Sequence, residues 1–222
     1  MDVSKAVSSR RSVRGFLDRP VDLERLKILI QKASAAPSGG NLQPWQIHVV
    51  TGDRLIELKR IMVERVANMP KGEGSEYDIY PRDMVEPYRS RAYEVGESLY
   101  AHLGIPRENK TKRFEWFARN FQFFGATAGL FCYVNRRNGP PQWSDLGMYL
   151  QTFMLLLREE GLDSCPQECW AMYPQTLKTF LRISPEYMLF TGMAIGWKDT
   201  AEPANAMISA RAPIEEFAHF HQ

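Results

Sequence analysis

Cysteine is scarce in this chain: there are three in 222 residues, Cys132, Cys165 and Cys169. An odd, small, unevenly spaced set excludes a disulfide framework and suits a reducing compartment. Cys165 and Cys169 do not have the Cys-x-x-Cys spacing of a redox pair and read as free thiols. Long apolar runs are missing too, and no stretch approaches the roughly 20 residues that span a bilayer. The N-terminus, Met-Asp-Val-Ser-Lys, carries no basic-then-apolar leader, so a cytoplasmic protein with no membrane attachment is expected. Neither sign of charge dominates. Lys and Arg number 28 against 26 Asp and Glu, a formal net charge of +2, which argues against a general nucleic-acid binder. His48, His102, His219 and His221 show no metal-ligand spacing, so no metal is expected. There is no Gly-x-Ser-x-Gly elbow, no Walker loop and no carboxylate pair that stands out as acid and base. With no catalytic side chain in view, the pattern is that of a cofactor enzyme, in which the cofactor carries the hard chemistry.

What is present begins with a hydrophobic content of 44%, enough for a real core in one α+β domain over residues 1–222, undivided by linker or repeat. Asp2 caps a short helix to Ser9. The run Arg10-Arg11-Ser12-Val13-Arg14-Gly15-Phe16 follows, with three guanidinium groups and a hydroxyl close together. Guanidinium forks bind phosphate bidentately and a serine hydroxyl adds a short hydrogen bond, so the run suits an anionic ligand; alone, it is also what a solvated basic turn looks like. Asp22 caps a second helix with Leu23, Leu26, Ile30 and Ala33 at helical spacing, ended by Pro37. Residues 35–45 form a loop rich in Pro, Gly, Ser and Asn, whose glycines let backbone approach a flat ligand.

A strand over 46–51 leads into a helix over 53–67, with Leu55, Leu58, Met62 and Val66 on one face. Residues 69–87 are a polar, irregular excursion, and 88–103 read as helix. Aromatic residues crowd 114–124, as a core stripe or as the wall of an aromatic-binding pocket. A buried strand over 126–135 and a long apolar helix over 143–160, carrying the polar Asp145 and Gln151, come next. The pattern then gives a loop over 163–170, a helix over 174–183, a strand over 187–197 and a tail with apolar residues near its end.

Taken together and in order, these motifs resemble the FMN-dependent nitroreductase family. The resemblance is carried by the arginine run, by Ala36-Pro37-Ser38-Gly39-Gly40-Asn41-Leu42-Gln43-Pro44-Trp45, by Asp145-Leu146-Gly147, by Gly161-Leu162 with Pro166-Gln167-Glu168, by Gly192 to Gly196, and by Arg211. It implies a mainly antiparallel sheet flanked by helices in an intertwined homodimer, with FMN at the interface and the tail, residues 198–222, embracing the other subunit. It implies that Arg10, Ser12 and Arg211, with Arg11 beside them, hold the phosphate and ribityl end, and that Arg14 reaches the pyrimidine edge of the ring. Pro37, Ser38, Asn41, Gln43, Pro166, Gln167 and Glu168 would contact the flavin; Gly39, Gly40 and Phe124 would shape the substrate side. Residues 69–124 would form the variable substrate region. The implied reaction is ping-pong: two electrons from NADH or NADPH, then reduction of a small nitroaromatic to nitroso and hydroxylamine products, with no side chain as catalyst. The same scaffold hosts quinone or enone reduction and reductive dehalogenation, and a flavin-binding module without turnover is the non-enzymatic alternative. Two positions depart from the pattern: Cys169 stands where many members have glycine, and Ser209 where some have lysine.

Overall fold

The computed structural model describes residues 1–222. Its strands are β1 (Gln46–Thr51), β2 (Ala128–Asn135), β3 (Asp163–Gln167) and β4 (Tyr187–Gly196), paired antiparallel throughout in the order β1-β2-β4-β3. Its helices are α1 (Val3–Ser9), α2 (Leu23–Ala33), α3 (Gly52–Asn68), α4 (Tyr88–His102), α5 (Lys110–Ala118), α6 (Pro140–Glu159) and α7 (Pro174–Leu181). This is the α+β architecture with an antiparallel sheet that the sequence predicts.

Successive side chains of a strand face opposite ways, and β2 uses both faces. Ala128, Leu130, Cys132 and Val134 join one apolar cluster, which also holds Leu26 and Leu29 of α2 and Leu146 and Phe153 of α6. Phe131 and Tyr133 join the other, with Leu58 and Met62 of α3, Phe121, Trp170 and Leu177 of α7. The sheet is therefore covered on both sides, which is why β2 and β4 read as near-continuous apolar runs.

The helix ends follow from their caps. The Asp2 side chain accepts from the Lys5 amide at 2.7 Å, and Asp22 accepts from the Glu24 amide at 2.9 Å. On α3 the buried positions are Leu55, Leu58, Met62 and Val66, the face its spacing predicts. On α2 the buried set is Leu26, Leu29 and Ala33, while Leu23 faces out. No helix is long and apolar enough to cross a membrane.

Two differences from expectation involve proline. The long helix α6 starts at Pro140 rather than Trp143, because proline is tolerated in a first helical turn where its missing amide has no partner to lose. Residues Asp163–Gln167, expected as loop, form β3. Proline is confined to edge strands and bulges, and β3 is an edge strand, so Pro166 does not break it.

Candidate functional site

The arginine run leaves α1 and lies along the outer edge of β3. Ser12 forms a parallel bridge with Ser164, and the Val13 amide donates to the Ser164 carbonyl at 3.0 Å. Asn205, from the tail, locks the run in place. Its side-chain oxygen accepts from the Arg14 amide at 2.7 Å, and its Nδ2 donates to the Gly15 carbonyl at 2.8 Å. The beginning and the end of the chain are thus tied together here.

None of Arg10, Arg11, Arg14 and Arg211 has a carboxylate partner. Elsewhere arginines pair readily, as in Arg113–Glu97, Arg119–Glu202 and Arg158–Asp163. Arg11 Nη1 donates to the Ser8 carbonyl at 2.7 Å, so its guanidinium closes the end of α1. Arg14 Nη1 donates to the Ser12 carbonyl at 3.2 Å, and Arg211 Nη1 to the Ala210 carbonyl at 2.8 Å. Burial first, then the charges of Arg211 and Arg11, pushes the Arg10 guanidinium below its ordinary range. Such a group of cations lowers its energy by taking an anion.

Beside the run lies a cavity of about 500 Å³. Arg14, Phe124, Pro166, Gln167 and Glu168, five residues singled out from sequence, share its wall. Gln167 is buried, and its amide is committed: Nε2 donates to the Asn120 carbonyl at 2.7 Å, and Oε1 accepts from Trp170 Nε1 at 3.3 Å. It offers the cavity backbone rather than side chain. Partial burial raises the Glu168 carboxyl above its ordinary value, although the residue as a whole is exposed. Phe124 and its neighbour Phe123 both take φ of 51°, a left-handed backbone that is costly for aromatic residues and persists only when packing fixes it. Phe123 packs 4.7 Å from Trp170, ring centre to ring centre.

Sequence reasoning missed Tyr80, Tyr100 and Asn120 in the same wall, and Asn205 behind it. They come from four separate segments, and no periodicity or motif marks them. Arg211 lines a second cavity, of about 690 Å³, between α4 and the tail.

The loop carrying Pro37, Ser38, Gly39, Gly40, Asn41 and Gln43 lines neither cavity. It is exposed yet well held. The Gly39 amide donates to the buried Asp145 carboxylate of α6 at 3.3 Å, the Gln43 amide to Ser38 Oγ at 3.0 Å, and Gln43 Nε2 to Asn41 Oδ1 at 3.2 Å. Gly40, Asn41 and Gln43 all have positive φ. Asn41 and Gln43 thus hold left-handed backbone that only their surroundings fix, on an exposed loop braced by its own hydrogen bonds. Within one chain the sequence-predicted residues therefore fall into two groups, one around the arginines and one on this loop.

Known proteins resemble this chain over nearly its whole length. The family model described as "Nitroreductase family" matches residues 7–197. A nitrobenzene nitroreductase of Ectopseudomonas oleovorans is 36% identical over 98% of this chain and 96% of its own. A chloronitrobenzene nitroreductase of Comamonas testosteroni is 34% identical over the same shares. The crystal structure of an FMN and NADPH-dependent nitroreductase, NfnB from Sphigopyxis sp. strain HMH, superposes with a TM-score of 0.97 at 46% identity, covering 100% of both chains. The motifs, the fold and these matches agree that the chain belongs to the nitroreductase family.

Proposed function

We propose that the protein is an FMN-dependent oxidoreductase that uses NADH or NADPH to reduce small nitroaromatic compounds to nitroso and hydroxylamine products, and that it works as a homodimer. The observation that carries this reading is the group of guanidiniums without carboxylate partners, set against an aromatic-walled cavity. That donor set fits a phosphate-bearing planar cofactor: cations for the tail, and a half-apolar wall for the ring. Its relatives' names point the same way, toward FMN, NADPH, nitrobenzene and chloronitrobenzene.

In this reading Arg10, Ser12 and Arg211 hold the phosphate end, with Arg11 adding charge from the end of α1. When bound, FMN supplies two-electron transfer between nicotinamide and acceptor. The chain does the rest. Arg14 sets positive charge where negative charge builds on reduction, and Phe124 with Pro166 gives flat apolar surface that orders stacked rings and excludes water. Pro37, Ser38, Asn41 and Gln43, with Gly39 and Gly40 beside them, complete the site from a second copy of the chain, since they lie away from the arginine-lined cavities of their own. Exposed apolar side chains at Val3, Val7, Ile214, Phe217 and Phe220 give that copy a surface to cover. The tail over 198–222 embraces it, and the segment over 69–124 sets substrate choice.

The test is anaerobic steady-state oxidation of NADPH and NADH by the FMN-loaded protein with nitrobenzene. Oxidation that depends on the nitroarene and yields hydroxylaminobenzene is expected. A protein that takes up no FMN, or one that takes it up and turns over no nitroaromatic, overturns the reading.

A further inference from the structure

We propose that Asn205, in the tail before Arg211, is a positioning residue for the flavin. By fixing the backbone of Arg14 it holds that arginine's charge beside the ring, and so raises the reduction potential of bound FMN. This rests on the function proposed above, and within it on Arg14 facing the ring.

The need for such a residue comes from the path of the chain. Up to Val13 the N-terminal run pairs with β3: Ser12 bridges Ser164, and the Val13 amide donates to the Ser164 carbonyl at 3.0 Å. From Phe16 onward it pairs elsewhere. The Phe16 amide donates to the Phe124 carbonyl at 3.2 Å, Phe16 bridges Lys198, and the Leu17 amide donates to the Trp197 carbonyl at 2.8 Å. Arg14 and Gly15 lie at the changeover, where no main-chain carbonyl accepts from the Arg14 amide. A backbone amide shielded from water needs a partner, and here only a side chain can supply one.

Asn205 fills the gap. Its Oδ1 accepts from the Arg14 amide at 2.7 Å, and its Nδ2 donates to the Gly15 carbonyl at 2.8 Å and to the Asp199 carbonyl at 2.7 Å. Three of the four hydrogen bonds open to an amide side chain are spent on this junction. The tail also presses on it directly. A Cβ on Gly15 would stand 2.2 Å from Glu202 Cγ, and Glu202 is itself held by Arg119, just past α5, at 3.0 Å. The Arg14 guanidinium, by contrast, donates only to the Ser12 carbonyl, at 3.2 Å, and lines the cavity with Phe124 and Pro166. Of its five N–H donors most are free. The backbone of Arg14 is fixed so that its charge can be offered.

A fixed charge stabilises negative charge without reorganising, and its effect falls with distance and with the entry of water. Without Asn205 the junction loosens, and Arg14 spreads over positions farther from the ring and better hydrated. Reduced flavin, which gains negative charge on the ring, then loses more than oxidised flavin does. The signature is a lower potential with little change in the binding of oxidised FMN.

A double-mutant cycle on the FMN-loaded protein separates this role from a merely structural one. The reduction potential is read by anaerobic equilibration with a reference dye in wild type, N205A, R14Q and N205A/R14Q. R14Q should disfavour reduced FMN about 100-fold, a fall of about 60 mV for two electrons, and N205A about tenfold, about 30 mV. In the R14Q background N205A should change that equilibrium by less than about twofold, because no charge is left to position. Oxidised FMN should bind N205A within about threefold of wild type, whereas general loosening of the fold would weaken both redox forms alike. In the flavin-free protein the Arg14 amide should exchange about tenfold faster in N205A while the sheet amides keep their protection.

A wild-type potential in N205A overturns the proposal, and so does an N205A shift that persists in full in the R14Q background. Should N205A not fold, N205S, whose hydroxyl stops short of the two carbonyls that Nδ2 reaches, is read in the same cycle against the same two outcomes. If R14Q leaves the potential of loaded FMN where it was, Arg14 does not face the ring, and the proposal falls while flavin binding stands. Failure of the underlying reading looks different: wild type takes up no FMN, or takes it up and reduces no nitroaromatic, whatever the potentials of the variants. Without FMN uptake the proposal falls with it.

Discussion

Glu168 shows how a single side chain makes stability depend on pH. The folded chain holds its proton more tightly than the unfolded chain does, because the surroundings disfavour the carboxylate. Folding therefore gains from protonation at low pH, and that gain is lost as pH rises from the ordinary carboxylate range through the raised native value. Glutamine carries no charge to desolvate. E168Q should consequently become more stable than wild type as pH rises across that window, with the two nearly equal below it. Urea unfolding of the flavin-free protein at several pH values checks this, and a gap that narrows with rising pH contradicts it. At this scale the sequence was informative where residues form motifs. Arg14 of the arginine run lines one cavity with Pro166, Gln167, Glu168 and Phe124. Tyr80, Asn120 and Asn205 were silent, because each is one polar residue in an irregular segment and only the folded path brings it to the site.

Between residue and molecule stand two elements that fix the site's parts. One is the loop 37–43, whose backbone is held to α6 by Asp145. Removing that acceptor in D145A should release the Gly39 amide, speeding its hydrogen exchange about tenfold, the equivalent of one hydrogen bond of ordinary net worth, while the sheet amides keep their protection. Unchanged exchange at Gly39 would show that the loop holds itself. The other is β4, which passes so close to Trp170 that a Cβ on Gly192 would stand 2.3 Å from the indole. G192A should cost about 1–3 kcal/mol by overpacking, read as a lower urea midpoint with an unchanged slope. A neutral G192A would mean that Trp170 moves aside freely. Strands and helices were largely legible, since hydrophobic spacing in α3 and β2 reports burial directly. The exception is β3. Five residues containing a proline lack the pattern of a strand, and only pairing with β4 and the bridge from Ser12 make it one.

At the scale of the whole molecule, the chain presents its two groups of site residues in different places, and apolar side chains near both ends face outward. The second copy proposed above would account for both facts. Deleting residues 208–222 removes Arg211 with the exposed Ile208, Ile214, Phe217 and Phe220. Sedimentation equilibrium should then show dimer shifting toward monomer; a truncated chain that stays as dimeric as the full one would place the interface elsewhere. This level was the least legible in the sequence, because a surface meant for another chain has the same composition as a core, and spacing alone does not say which chain covers it. The function of the site turns on whether the guanidiniums at the two ends of the chain hold a phosphate. The most direct measurement is calorimetric titration of the flavin-free protein with FMN and with riboflavin, which lacks the phosphate. FMN should bind at least about 100-fold more tightly, and R10A or R211A should each remove about 10- to 100-fold of that preference, the worth of one or two charge-assisted hydrogen bonds, without weakening riboflavin. Equal affinities for the two flavins in the wild-type protein would contradict the account.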